Sequence, residues 1–299
     1  MYYVAAKSVL IISIFILTIT ACSRISFPEN QTYSDTLRVA SYNIRLETSA
    51  DKGEKSWNYR KKHIGNLIFS QAWDIFGVQE MADLSQETDI RRMLPYYACF
   101  SRGRDNQDGS SGERIGVFYN RQRFELQDSS FFFLSETPEI VSRGWDAALN
   151  RICIWVRIRD KVTNQTFYFV NTHFDHRGVI AREKSAELII SKIKHFEDTI
   201  PLIFVGDLNA SPAEKAVYQR FNFILTDSKY ASLRDLSTTQ GTFNGWSTND
   251  TYPENMRIDY IFTEGFIINS YQVIQKKFSK SGIYPSDHLP VEIECLFKK

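Results

Sequence analysis

Short apolar runs typical of β-strands alternate along this chain with longer amphipathic segments, and most of the apolar runs end on a polar residue. In residues 150–160, isoleucine and valine alternate with arginine and cysteine, which is the period of a strand with one buried face. Residues 114–120 and 123–134 look like the two strands of a hairpin. Strands are predicted at residues 36–45, 74–80, 114–120, 123–134, 150–160, 165–173, 202–205, 257–264, 267–275 and 290–297.

Two longer segments, residues 59–73 and 178–196, carry apolar residues at helical spacing. The second helix joins the strands predicted at 165–173 and 202–205. A strand–helix–strand unit of this length is most simply a right-handed parallel crossover, which places both strand ends at the edge where open α/β sheets bind ligands. No repeat or linker interrupts residues 37–299, so we expect one α/β domain with mixed sheets.

The first residues of the chain have the pattern of an export signal. An apolar run at residues 8–20 is short for a membrane span and suits the core of a signal peptide. It ends in a motif that resembles a bacterial lipobox, in which Cys22 would be lipidated. We therefore expect a lipoprotein signal peptide at 1–21, a lipidated cysteine and polar tether at 22–36, and a location in the cell envelope, facing the periplasm or the cell surface. An uncleaved signal anchor is the alternative.

Composition and charge limit the partners to be expected. Hydrophobic residues make up 43% of the chain, which is ample for a sizeable core, and 36 Lys and Arg against 35 Asp and Glu give a formal charge of +1. This balance offers no electrostatic footprint for binding a phosphate backbone. The basic cluster at residues 60–62 is interpreted as solvated surface. The cysteines beyond Cys22 have no disulfide or zinc spacing, and Cys153 and Cys295 are expected in the core.

Polar side chains with catalytic chemistry follow the ends of the predicted strands. Taken singly, each has an ordinary interpretation as a cap for the next turn or as a structural histidine. Three of the five histidines, however, fall at strand ends beside carboxylates. The set comprises Asn43, Glu80, His173, Asp175, His176, Asp207, Asn209, Asp259, Asp287 and His288.

This set of side chains favours metal-assisted chemistry on a phosphate. The chain has no serine or cysteine nucleophile in an elbow setting, no glycine-rich phosphate loop and no zinc-type spacing. Carboxylate and amide oxygens are hard ligands that suit Mg²⁺ or Mn²⁺. Such an ion and neighbouring donors would stabilise phosphate charge while an aspartate orients and deprotonates water.

Six motifs, in order along the chain, resemble those of the endonuclease/exonuclease/phosphatase superfamily: SYNIR, DIFGVQE, NTHFDH, GDLN, RIDYIF and SDHLP. The resemblance spans roughly residues 37–297. It implies a four-layer α/β/β/α sandwich of two mixed β-sheets flanked by helices. The stretch from SETP to GWDAALNRICIW further resembles a bacterial nocturnin-like subgroup that is often secreted or lipid-anchored.

The resemblance also implies a metal site. Glu80 would be the principal ligand of Mg²⁺, or alternatively Mn²⁺, with Asn43 nearby and Asp287 ligating or approaching the ion. Several nucleases of the family carry an acidic or amide residue two positions after the first asparagine, and this chain has Arg45 there. That departure weakens the expectation of two metal ions.

Catalytic roles follow from the same resemblance. Asp207 would activate the attacking water, and Asn209 would orient that water or the phosphate. His288 would donate to a phosphate oxygen, with its ring positioned by Asp259. His173 would stabilise the pentacovalent transition state.

Further phosphate contacts are expected from Arg114, Asn171 and His176. Pairing with a surface carboxylate is an equally weighted alternative for Arg114. The loops in which nucleases of the family are often basic have mixed charge here, and they include residues 83–92.

The resulting expectation is a Mg²⁺-dependent phosphoesterase, with phosphodiester hydrolysis favoured. An extracellular nuclease is the alternative within enzymes, and a non-catalytic binding lipoprotein on the same fold is the alternative of another class. The expected partners are a phosphate-ester substrate and a membrane reached through the lipid. Nucleic acid is not favoured, and a monomer is expected.

Overall fold

Two six-stranded β-sheets stand face to face in the computed structural model, which describes residues 33–278 and 281–298. The strands are Leu37–Asn43 (β1), Ile75–Met81 (β2), Tyr97–Gly103 (β3), Arg114–Asn120 (β4), Phe124–Phe133 (β5), Ile152–Asp160 (β6), Thr166–His173 (β7), Leu202–Asp207 (β8), Thr226–Asp227 (β9), Asp259–Glu264 (β10), Phe266–Val273 (β11) and Val291–Phe297 (β12). The α-helices are Trp57–Gln71 (α1), Leu84–Met93 (α2), Val179–Ile193 (α3), Lys215–Ile224 (α4) and Ser228–Ala231 (α5), and 3₁₀ turns lie at Gly53–Lys55 and Glu254–Met256.

Each sheet contains one parallel pair of strands near its centre, and its other neighbouring strands are antiparallel. The first sheet has the order β11-β12-β1-β2-β4-β3, and the second has the order β5-β6-β7-β8-β10-β9. The parallel pairs are β1–β2, joined through α1, and β7–β8, joined through α3. Parallel strands require such crossovers because the chain must return from the end of one strand to the start of the next. The parallel pairing of β7 and β8 through a helix, predicted from the sequence, is confirmed.

Within the described residues, three apolar clusters form the interior. One lies between the two sheets and includes Val39, Val205 and Ile293. A second packs the other face of the second sheet against α3 and α4, and a third packs the other face of the first sheet against α1 and α2. The layers therefore run helix, sheet, sheet, helix, which confirms the predicted sandwich. Cys153 and Cys295 are fully buried, as expected.

The predicted hairpin between residues 114–120 and 123–134 is wrong. These segments are β4 and β5, and they belong to different sheets: β4 pairs with β2 and β3, whereas β5 pairs with β6. All seven residues of β4 are buried. A strand covered on both faces and paired at both edges has no free edge for its neighbour in sequence, so the chain crosses to the second sheet.

Two further expectations are corrected. Residues 83–92, expected as a loop, contain most of α2, whose amino end is capped by Asp83 accepting from the amides of Ser85 and Gln86. The basic cluster at residues 60–62 is not simply solvated surface, because Arg60 is completely buried. Arg60 lies only three residues after the start of helix α1, and its side chain points into the protein.

The two sheets approach each other closely where Gly77 of β2 faces β7 and β8. A Cβ atom added at Gly77 would lie 2.4 Å from Cγ2 of Val205 and 2.9 Å from Cγ of Asn171. Only glycine fits at this contact without a shift of its neighbours. The side chain of Asn171 also bridges the sheets, donating to the carbonyls of Val78 and Gly116.

Within the described part of the chain, no helix has the length and apolar character required to cross a membrane. The predicted signal peptide at 1–21, Cys22 and most of the tether lie outside the described residues.

Candidate active site

The carboxyl ends of the two parallel strand pairs meet at one edge of the sandwich. Asn43 ends β1, Glu80 lies near the end of β2, and His173 and Asp207 end β7 and β8. Asp259 begins β10 directly opposite Asp207 in the antiparallel register. The structure therefore brings together the following predicted residues: Asn43, Glu80, His173, Asp207, Asn209, Asp259, Asp287 and His288.

The carboxylate of Asp207 is the centre of this cluster and is almost fully buried. Its Oδ2 accepts a 2.9 Å hydrogen bond from the side-chain amide of Asn43. The same oxygen lies 3.6 Å from Nε2 of His173 and 3.7 Å from Nε2 of His288. The other oxygen, Oδ1, accepts from the backbone amide of Asn209 at 2.9 Å. Donors from both sheets thus converge on one carboxylate.

The amide group of Asn43 also donates to Glu80, at 2.9 Å from Oε1, so that it bridges two carboxylates. The guanidinium group of Arg45 lies beside the same region, 3.9 Å from Oε2 of Glu80 and 3.7 Å from Oδ2 of Asp287. Backbone φ angles are positive at Arg45, Glu80 and Asn209, at 60°, 58° and 46°. Non-glycine residues adopt this left-handed conformation at a cost, and such strain clusters at functional sites.

His288 is held by a buried carboxylate on its other side. Its Nδ1 lies 2.9 Å from Oδ2 of Asp259, and both side chains are almost fully buried. The ring of Phe243 meets the imidazole edge to face at 5.0 Å. These contacts orient Nε2 of His288 toward Asp207, as a donor to a bound anion would be oriented.

His173 is surrounded by charged residues that the sequence analysis missed. Its Nδ1 lies 3.3 Å from Oε1 of Glu113, and that carboxylate also pairs with Arg104 at 2.8 Å and with Arg151 at 3.8 Å. The side-chain amide of Asn209 lies 3.2 Å from Nε2 of His173. Glu113 directly precedes β4, so a search restricted to the carboxyl ends of strands could not find it.

Burial and neighbouring charges shift the pKa values in the cluster. Burial, together with the charge of Asp259, raises the pKa of Asp207, and burial raises the pKa of Asp287. Burial also opposes ionisation of Glu80, but the interactions with His173, His288 and Asn43 hold its pKa below the usual range.

The two histidines that face Asp207 differ in protonation. Burial and the nearby Arg151 lower the pKa of His173 to about 3. Burial also disfavours protonation of His288, but the carboxylates of Asp259 and Asp207 outweigh it and hold its pKa well above the usual value. At neutral pH the site therefore combines a neutral and a cationic imidazole.

The donor set fits a divalent cation. Ligand atoms of Glu80, His173 and Asp207 all lie within 4.8 Å of one another, as do those of Asp207, Asp259 and His288. In the second group, His288 is already bound to Asp259. In the first group, the carboxylates of Glu80 and Asp207 both accept a hydrogen bond from the amide of Asn43. Such hard oxygen donors suit Mg²⁺ or Mn²⁺.

Three predicted phosphate contacts lie outside this cluster or at its margin. Arg114 is buried, and it pairs with Glu87 at 3.0 Å and donates to the hydroxyl of Ser101. Asn171 is fully buried between the sheets. His176 is exposed and meets the guanidinium group of Arg151 at 3.3 Å. The functional roles assigned to these and to the clustered residues stay predictions.

Comparison with known proteins connects this architecture to a family. The model of the Endonuclease/Exonuclease/phosphatase family matches residues 40–288. The solved structure of a mannosyl-6-phosphatase from Bacteroides thetaiotaomicron is similar with a TM-score of 0.82 and 34% identity, covering 87% of this chain and 100% of that chain. A family structure from Bacteroides vulgatus has a TM-score of 0.80 and 32% identity, covering 88% of this chain and 99% of that one. Nocturnin from Xenopus laevis is 22% identical over 293 residues, covering 88% of this chain and 73% of nocturnin.

Proposed function

Because the chain belongs to the endonuclease/exonuclease/phosphatase family, whose members hydrolyse phosphoester bonds, we propose that it is a Mg²⁺-dependent phosphoesterase. One observation carries the proposal: a buried carboxylate, Asp207, faces donors from both sheets beside a second carboxylate, Glu80. This arrangement combines a site for a cation, a group that can take a proton from water and donors for phosphate oxygens. Mn²⁺ is the alternative ion.

In this proposal, Glu80 is the principal ligand of the cation, Asn43 lies beside it with its amide donating to the Glu80 carboxylate, and Asp287 approaches the ion beside Arg45. The bound ion would supply Lewis-acid stabilisation of charge on the phosphoryl oxygens.

The remaining steps belong to protein side chains. Asp207 orients a water molecule and accepts its proton, for which a raised pKa is favourable, because a base acts best when its pKa lies near the working pH. His288, cationic beside Asp259, donates through Nε2 to a phosphoryl oxygen. His173 and Asn209 bind the oxygens that gain charge as the water attacks in line with the leaving group.

Two substrate classes are proposed. A phosphodiester is the class favoured from the sequence. The similarity to a mannosyl-6-phosphatase at 34% identity, covering all of that chain, supports a sugar phosphate monoester. A nuclease is the third possibility to test, although the formal charge of +1 provides little attraction for a polyanion.

The first experiment measures release of p-nitrophenol from bis-(p-nitrophenyl) phosphate and p-nitrophenyl phosphate, and release of phosphate from mannose 6-phosphate, with Mg²⁺ and with EDTA. Asp207→Asn is expected to lower kcat by about 10²–10⁴-fold, the usual contribution of a general base. Asp198→Asn, at an exposed carboxylate away from the cluster, is the matched control.

Turnover by Asp207→Asn at the wild-type rate would contradict the role of Asp207. Salt-sensitive cleavage of DNA or RNA, with no turnover of the small esters, would favour the nuclease. Absence of both activities, together with no metal binding by calorimetry, would favour a non-catalytic binding lipoprotein.

We also propose that the protein is anchored in the cell envelope through lipid on Cys22. The support is the apolar run at residues 8–20 followed by the lipobox-like sequence. Labelling with radioactive palmitate in a bacterial host tests this. The wild-type protein should be labelled and its processing blocked by globomycin, whereas Cys22→Ala should carry no label. An unlabelled wild-type protein that retains residues 1–21 would contradict the proposal.

A further inference from the structure

A buried guanidinium group lies beneath the loops that carry the candidate metal ligands. The side chain of Arg60, in the first turn of α1, is fully buried. It donates four hydrogen bonds, all to backbone carbonyl oxygens: those of Lys55 at 2.7 Å, Ile44 at 2.8 Å, Pro285 at 2.9 Å and Arg45 at 3.0 Å. One side chain therefore fixes three separate backbone segments.

This is an unusual environment for a buried charge. Burial of an arginine normally requires an ion pair, but within residues 33–278 and 281–298 no carboxylate lies within ion-pair distance of Arg60. Compensation comes from the four carbonyl dipoles, from the rings of Trp57 and Trp246, whose centroids lie 5.5 Å and 5.4 Å from the guanidinium carbon, and from the more distant carboxylates of Asp287 and Asp51.

The segments that Arg60 joins lead directly to the candidate site. Ile44 and Arg45 follow Asn43, the residue that bridges Glu80 and Asp207. Pro285 precedes the segment that carries Asp287 and His288. A second bond links the same two segments, because the hydroxyl of Ser286 donates to the carbonyl of Asn43 at 2.8 Å.

We propose that Arg60 is a positioning residue, which sets the distance between the Asn43–Glu80 side of the site and the Asp287–His288 loop. It acts through backbone carbonyls and does not contact the substrate. The planar fork of arginine is required, because a lysine ammonium is a point donor and cannot reach carbonyls in three segments at fixed angles. Groups that hydrogen-bond directly to metal ligands typically contribute 10–100-fold to metal affinity, and we expect an effect of that size from Arg60.

This inference rests on the proposed function, since it assumes that a divalent ion binds at Glu80 and Asn43. The test measures Mn²⁺ binding by calorimetry and by the paramagnetic signal of free Mn²⁺. Neither readout depends on turnover. Arg60→Lys is compared with Arg123→Lys. Arg123 is an equally buried arginine that pairs with Asp74 and Asp160, and Asp74 lies at the opposite end of β2 from Glu80.

We expect Arg60→Lys to bind Mn²⁺ about 10–100-fold more weakly than the wild type. Arg123→Lys should lower the melting temperature but keep the wild-type affinity. Ser286→Ala, a smaller change at the second link, should weaken Mn²⁺ binding in the same direction, and it decides the question if Arg60→Lys does not fold.

Wild-type affinity in Arg60→Lys, or in Ser286→Ala where that variant decides, would overturn the positioning role and leave the proposed function intact. A wild-type protein that does not bind Mn²⁺ would overturn both. The two failures are therefore distinguishable in one set of titrations.

Discussion

Two buried histidines flank the Asp207 carboxylate, and their surroundings shift their pKa values in opposite directions. His173 is kept neutral by burial and Arg151, whereas His288 is kept cationic by Asp259 and Asp207. The difference comes from the second nitrogen of each ring. Nδ1 of His288 meets a carboxylate at 2.9 Å, but Nδ1 of His173 lies 3.3 Å from a carboxylate that two arginines already neutralise.

The lowered pKa of His173 predicts a loss of stability in acid. The unfolded chain binds a proton at this histidine below pH 6.5, but the folded protein does so only near pH 3. Because the unfolded state binds more protons in this interval, the free energy of unfolding should fall by about 1.4 kcal/mol for each unit that pH decreases. In urea unfolding of metal-free protein between pH 4 and pH 6, the free energy of unfolding should change less with pH in His173→Gln than in the wild type.

His195→Gln, at an exposed histidine on the surface, is the control and should follow the wild-type dependence. Equal slopes in His173→Gln and the wild type would contradict the buried, neutral state of His173. His288 does not produce the same loss, because its pKa is higher in the folded protein than in the unfolded chain. The stability that it contributes is fully present below the pKa of the unfolded chain and is lost only as pH rises through the pKa of the folded protein.

The residues that end apolar strands are predictable from the sequence, because an abrupt change from apolar to polar is visible along the chain. Asp207 and Asn209 after residues 202–205 are the clearest case. Glu113 and Arg60 are not predictable in this way for a physical reason: each lies in a charged stretch that is indistinguishable from solvated surface until tertiary packing buries it. Periodicity records which face of an element is apolar, but it does not record which arginine finds carbonyl partners inside the protein.

At the scale of elements, the site depends on how closely β2 approaches β8. Gly77 lies three residues before Glu80, and Val205 lies two residues before Asp207, so we expect their contact to influence the spacing of the two carboxylates. The crossover from β7 through α3 to β8 was predictable from the order of elements. The placement of β4 and β5 in different sheets was not, since a short turn between two strands ordinarily indicates a hairpin.

Gly77→Ala is therefore expected to impair both stability and turnover. The added methyl would lie 2.4 Å from Cγ2 of Val205, and such overpacking typically costs about 1–3 kcal/mol. Val205→Ala removes that methyl group, so the double variant should recover part of the stability lost in Gly77→Ala. Urea denaturation and kcat of the two single variants and the double variant form the test cycle. Strictly additive losses would show that this contact does not set the sheet spacing.

At the scale of the whole molecule, a near-neutral chain concentrates buried negative charge at one edge of the sandwich. Lys and Arg almost balance Asp and Glu overall, yet four carboxylates meet at the cluster: Glu80, Asp207, Asp259 and Asp287. Within the cluster, His288 and Arg45 offset part of this charge. The sandwich brings these carboxylates together because the carboxyl ends of both parallel strand pairs point to the same edge.

Binding of a divalent ion should therefore stabilise the whole fold. A ligand present at 100 times its Kd adds about 2.7 kcal/mol to the free energy of unfolding. For a domain of this size, each kcal/mol raises Tm by about 2–4 °C, so Mg²⁺ or Mn²⁺ should raise Tm by about 5–11 °C over EDTA. Glu80→Gln retains the shape of the side chain but removes a ligand charge, and its Tm should respond far less to the ion. If wild-type Tm is the same with ion and with EDTA, the cluster does not bind a metal with useful affinity, and its carboxylates must be stabilised by protonation and by neighbouring groups such as His288 and Arg45.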